Sequence, residues 1–248
     1  MLLKQKKKGL STMIGAIFMV FLLFILFFFS YYMKAIETLK INMKDDADMA
    51  TMAAVTVDLD KYGKDHKDLY CIGSTDFNNP NGESNNYKAN ITEQNEVYKH
   101  LNLYAKSLIS TMGLKSAETD SFFGGNVGWA ANSLGAQNFK LDNFKIYEYS
   151  QTKRIWVCYT VTGEISAVKL NAVKNNENNA FDGLTVTKKQ ATEDEVQTDG
   201  IDISKPSPTV CATFSFELRL PNLFANTNSD VNRVNNLSIK SVSQTKEF

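Results

Sequence analysis

The sequence predicts an α+β protein: a long N-terminal helix, a second helix, and then an antiparallel sheet. Three observations predict it. An uncharged apolar run extends from Leu10 to Met33. Helical spacing of apolar residues continues beyond it and returns over residues 93–112. After Asn143 the spacing changes to two, the signature of half-buried strands. The 248 residues allow one ordinary domain plus an appendage. Lys and Arg number 27 against 27 Asp and Glu, without the clustered basic face that marks a nucleic-acid binder.

Charge is unevenly placed along the chain. Lys4, Lys6, Lys7 and Lys8 stand in the first eight residues, and the next charge is Lys34. The run between them, LSTMIGAIFMVFLLFILFFFSYYM, would form a helix roughly 36 Å long, enough for a hydrocarbon core of about 30 Å. Fourteen of its residues are Leu, Ile, Val or Phe, together worth on the order of −4 to −8 kcal/mol of insertion free energy. Tyr31 and Tyr32 fall where an aromatic belt belongs. The lysines hold the N-terminus in the cytoplasm by the positive-inside rule, which places the remainder outside. A cleavable secretory signal has a shorter apolar region and a small-x-small cleavage site. Here the run is longer and ends in SYYMKAIE.

The chain therefore divides into a basic leader (1–9), a transmembrane helix (10–33), an amphipathic helix (34–60) and an extracytoplasmic α+β domain (61–248). In the amphipathic helix Ile36, Leu39, Met43, Ala47, Ala50 and Ala54 recur at steps of three and four, and no Gly or Pro interrupts residues 16–62. Two readings of this stripe stand side by side. It docks on the protein's own ectodomain, or it bundles with other copies.

Asp76–Tyr87 is turn chemistry. A second amphipathic helix over 93–112 carries Val97, Leu101, Tyr104, Leu108 and Met112 on one face, with Thr92 as N-cap and Gly113 as stop. Phe144–Tyr149 and Arg154–Val161 read as strands joined by a hairpin at Ser150–Lys153. Val210, Ala212, Phe214, Phe216, Leu218 and Leu220 alternate with polar residues and Cys211, and Leu237–Val242 reads as a last strand. Asn175–Asn179 and Ala191–Gly200 read as surface loops.

The N-terminal KKKGLSTMIGAIFMVFLLF resembles the class III signal of type IV pilin-like proteins. DADMATMAAV (Asp46–Val55) is similar to the segment after the membrane helix in Tad-type (TadE/TadG-like) pseudopilins, and LSTMIG is similar to archaeal pilin starts. The likeness covers about residues 4–57. It implies that a prepilin-type peptidase cuts between Gly9 and Leu10. It also implies that the long helix, with Ile14, Phe18, Leu22, Ile36, Leu39, Met43, Ala47 and Ala50, packs against other pilin-like subunits. One departure matters: Ile14 stands at the fifth mature position, where many bacterial major pilins carry Glu. That favours a minor or archaeal-type subunit of a filament, secretion or conjugation apparatus, with the ectodomain as a tip or adhesive surface. The competing expectation is a signal-anchored surface protein that binds a ligand or cell-wall component and never polymerises.

No enzyme motif is present, and no cofactor or metal is expected. His66 and His100 lack a partner at ligand spacing and read as surface residues. Asp58, Asp60 and Gly63 begin like a calcium loop but lack its later oxygen ligands. Asn226, Asn228 and Asp230 lack the glycine and the final Glu. Of three cysteines, Cys158 and Cys211 fall on predicted strands. A disulfide between them, leaving Cys71 unpaired, is one reading, and three free thiols is the other. Asn90-Ile91-Thr92 and Asn236-Leu237-Ser238 fit N-glycosylation acceptors.

Overall fold

A computed structural model describes residues 2–55, 72, 87–112, 136–150, 153–219 and 233–245. The chain divides into two compact units, residues 1–41 and 42–248. The elements in order are α1 (Leu2–Ala54), β1 (Tyr87–Lys88), α2 (Ile91–Met112), β2 (Ala136–Ser150), β3 (Ile155–Thr162), β4 (Ile165–Ser166), α3 (Ala167–Asn175), β5 (Thr185–Ala191), α4 (Glu193–Thr198), β6 (Thr209–Arg219) and β7 (Arg233–Gln244). The α+β class, the long apolar N-terminal helix and the antiparallel sheet all match expectation.

The second unit is built on one sheet of order β1-β5-β3-β2-β6-β7, with β4 pairing to β2. Register fixes which side chains share a face. Phe144 sits between Val161 and Ala212, and Ile146 between Tyr159 and Val210. All six are buried, so this face is the core side. Helix α2 supplies its complement, because Val97, Leu101, Tyr104, Leu108 and Met112 are all buried along one stripe. The Tyr104 ring meets Phe144 at 5.4 Å between centroids.

The end of α1 in this unit, residues 42–54, also faces inward through Met43, Ala47, Ala50 and Ala54. Small side chains at three of these positions permit close approach, and polar bonds then fix the contact. The Thr51 and Ser241 hydroxyls lie 2.7 Å apart, and Ser241 donates to Asp48 at 2.7 Å. His100 of α2 donates its Nδ1–H to the carbonyl of Ala54 at 2.7 Å, satisfying an orphan acceptor at the end of α1. His100 is thus buried, which corrects the expectation of a surface histidine. A carbonyl at a helix end needs a donor, and His100, three residues after Val97 and four before Tyr104, stands on the buried stripe of α2 to supply it.

Three further corrections concern element ends. Helix α2 starts at Ile91 rather than after Thr92, because Asn90 and Glu93 form a reciprocal cap: Glu93 N–H donates to Asn90 Oδ1 and Asn90 N–H to Glu93 Oε2, each at 2.9 Å. The run 191–200, expected as loop, holds α4, which is capped by Thr192 and Glu195. Strand β2 begins eight residues before Phe144, at Ala136, carrying register shifts on its β6 side between Gln137 and Lys140 and between Leu141 and Asn143. Gly113 lies outside the described residues.

The buried Tyr104 hydroxyl has no hydrogen-bond partner among the described residues. A buried hydroxyl without a partner loses its solvation for no return. Tyr104→Phe is therefore expected to raise stability by about 1 kcal/mol, read as a higher unfolding midpoint in urea. A loss of 1 kcal/mol or more would show that the hydroxyl has a partner after all.

Candidate functional site

Two regions carry chemistry that packing alone does not use: the exposed surface of α1 in the first unit, and the second unit around its sheet.

Met13–Ala54 is a helix long and apolar enough to cross a membrane, and its most apolar stretch is unburied. Phe21, Leu23, Phe24, Phe27 and Phe29 are each more than 60% exposed. A soluble monomer rarely shows an apolar patch beyond a few hundred Å²; this one wraps a helix for more than five turns. Of the residues expected to line an assembly face, Ile14, Phe18 and Leu22 are exposed, Ile36 is half-buried and Leu39 is buried. Met43, Ala47 and Ala50 are interior residues of the second unit. Their surface is covered by their own domain, as the first of the two readings of the stripe has it. Met49 and Met52 are the exposed apolar residues on that stretch. Gly9 and Leu10 lie within the helical backbone.

The far face of the sheet was expected to be solvated and is partly covered. Helix α4 and the segment after it bring Val196 and Ile201 against Tyr147, Trp156, Cys158, Ala191 and Cys211, a small second core. Asp199 ties this layer down. Its carboxylate accepts from Lys145 Nζ at 2.6 Å, Lys240 Nζ at 2.8 Å and the Tyr147 hydroxyl at 2.5 Å. Burial would raise the Asp199 carboxyl, but these three donors outweigh it and hold it at about 2. Burial likewise pulls Lys145 down, and the bond to Asp199 more than reverses this.

The sign for stability follows from the depressed carboxyl. The clamp contributes fully above the ordinary aspartate value of about 4 and is lost as pH falls through about 2. Wild-type stability should therefore fall more than that of Asp199→Asn as pH drops across this window. Parallel acid titrations of the unfolding midpoint check it, and equal slopes would refute the clamp.

Cys158 and Cys211 are buried free thiols. Of the two readings, the bridge between them is not the one formed, because β2 lies between β3 and β6. Two strand spacings separate the cysteines by roughly 10 Å, beyond the Cα span of about 7 Å that a disulfide tolerates. Burial pushes the Cys211 thiol up to about 12, helped by the Asp199 charge, and raises Cys158 as well. Both act as small core residues, unreactive for want of thiolate.

Asn90 of the first glycosylation tripeptide is exposed, with Ile91 77% exposed beside it. Asn236 lies on β7. Cys71, His66 and the calcium-like stretches at Asp58 and Asn226 fall outside the described residues.

Sequence reading missed a cleft of about 420 Å³ lined by Asn95, Tyr98, Lys99, Asn102, Leu103, Asn176 and Phe181. The five α2 residues recur at steps of three and four, beside the core stripe, so half the site was readable as a second helical face. The remainder comes from the α3–β5 connection and could not be joined to it without the fold. Tyr98 and Phe181 stack at 4.3 Å with planes 15° apart, and the Tyr98 hydroxyl donates to the Leu184 carbonyl at 3.1 Å. Asn102 Nδ2 donates to Asn176 Oδ1 at 2.9 Å and to the Val173 carbonyl. Asn176 holds a left-handed conformation, φ 55, as the cap of α3. No family of known proteins, no curated protein and no solved structure matches this chain.

Proposed function

We propose that this chain is a pilin-like subunit of a type IV filament or a related secretion or conjugation apparatus, held in a membrane by its N-terminal helix. In this reading Leu10–Met33 inserts, a prepilin-type peptidase cuts after Gly9 from the cytoplasmic side, and the ectodomain is carried outside. The observation that supports it is the unburied apolar length of α1 directly behind a Lys-rich leader ending in Gly9. Such a surface needs lipid or other apolar helices around it. Ile14, Phe18 and Leu22 would meet neighbouring helices.

The mature N-terminus tests it. Mass spectrometry of the protein from its native membrane should find a chain starting at Leu10, and Gly9→Leu should leave Met1 or Leu2 at the start. An uncleaved, monomeric wild type would defeat the pilin reading and leave the anchor.

A second reading is an anchored surface protein that binds a ligand and does not polymerise. Burial of Met43, Ala47 and Ala50 inside the ectodomain favours it, because that part of the helix is already partnered.

A further inference from the structure

The cleft beside α2 has a composition that selects among ligands. Its volume, about 420 Å³, lies within the range of about 300–1,000 Å³ usual for small-molecule sites. Three of its seven lining residues are carboxamides and none is acidic. The single cation, Lys99, is paired with Glu96 at 2.6 Å, so the site offers little net charge to an anion. A cation would meet no carboxylate in the lining.

Carboxamides both donate and accept, which matches the hydroxyl group, itself a donor and an acceptor. The floor of the site is organised before any ligand arrives. Asn102 is buried and spends its amide hydrogens on Val173 and Asn176. That bond turns Asn176 so that its oxygen faces Asn102 while the residue itself stays exposed. Asn95, one turn before Tyr98, is exposed on the rim. Tyr98 and Phe181 stack on each other, so each spends one face on its partner, and the pair holds the half-buried Phe181 ring in place with its outer face as flat carbon surface. Flat carbon flanked by fixed amides fits a ring having one C–H face and a hydroxyl rim.

We propose that this cleft binds a neutral carbohydrate, one or two pyranose rings of an oligosaccharide, with the sugar C–H face against the outer face of Phe181 and its hydroxyls on Asn95 and Asn176. The inference rests on the ligand-binding reading of the ectodomain. It is independent of leader cleavage and of polymerisation.

The test uses the full-length protein in a zwitterionic detergent, because glycosidic detergents would compete. Calorimetric titration with chitotriose and maltotriose should give saturable binding for at least one of them in the millimolar range or tighter. Trigalacturonate and adenosine serve as the charged and the stacking-only arms. Phe181→Ala should weaken sugar binding about tenfold, the equivalent of roughly 1.4 kcal/mol. Asn95→Ala is exposed and favourable to a helix, so the fold survives it, and it should weaken binding several-fold. Absence of saturable sugar binding by the folded wild type overturns the proposal. So does tighter binding of adenosine or trigalacturonate, or sugar affinity unchanged in both variants. None of these results bears on the mature N-terminus, so failure here leaves the filament reading standing.

Discussion

Lys188→Met is expected to destabilise the second unit by about 3–5 kcal/mol. Lys188 on β5 reaches Glu93 on α2 at 2.9 Å, with side chains only 4% and 6% exposed. Removing the ammonium takes the cation at 2.9 Å from a carboxylate held out of water, and that penalty exceeds the attraction the pair provided. Glu93 also closes the Asn90 cap, so Glu93→Gln is the gentler test from the other side: it keeps the shape but removes the charge. The double variant Glu93→Gln, Lys188→Met buries no net charge and should recover more than half of the loss. Urea unfolding of all four proteins gives the coupling directly. A single-variant loss under 1 kcal/mol would mean that water reaches the pair.

Leu22→Arg with Ile25→Arg is expected to abolish membrane insertion. The magnitudes decide this. The fourteen strongly apolar residues of the segment supply on the order of −4 to −8 kcal/mol, and each central Arg costs about 2.5–3.5 kcal/mol besides the apolar residue it replaces. Two such changes cost about 6–8 kcal/mol together, which leaves the sum at roughly −2 to +4 kcal/mol and removes most or all of the drive to insert. Carbonate-washed membranes should retain the wild type and release the double variant. Leu22→Ala with Ile25→Ala removes little insertion energy, so that control should stay in the membrane. Retention of the Arg pair would imply that α1 lies in a protein environment rather than in lipid.

What the sequence made legible divides along physical lines. The apolar run, the α2 stripe and the period-two strands were readable because burial repeats at the period of the element, and Val97, Leu101, Tyr104 and Leu108 are buried as that spacing requires. The α4 layer was hidden for the opposite reason. Its one buried side chain is Val196, too little to set a period, and its acidic surface reads as loop. Cys211 shows the consequence: parity placed it on the polar face correctly, yet that face is covered there by Ile201 and Val196. Asp199, Lys145 and Lys240 are far apart in sequence, and only the register of β2, β6 and β7 brings them together. The helical stripe Ile36–Ala54 was read correctly as apolar, while its partner was left open between the protein's own domain and other copies, and Met43, Ala47, Ala50 and Ala54 are buried within the second unit. Spacing says that a face is buried and never says against what.

The deepest dependence is on lipid as the surroundings of α1. Protease digestion of sealed, inside-out membrane vesicles addresses it most directly. In the proposed topology the Lys-rich leader faces the protease there, and residues 42–248 should be protected until detergent opens the vesicles. Digestion of residues 42–248 in intact vesicles would contradict the proposed topology, and with it export, leader processing and assembly.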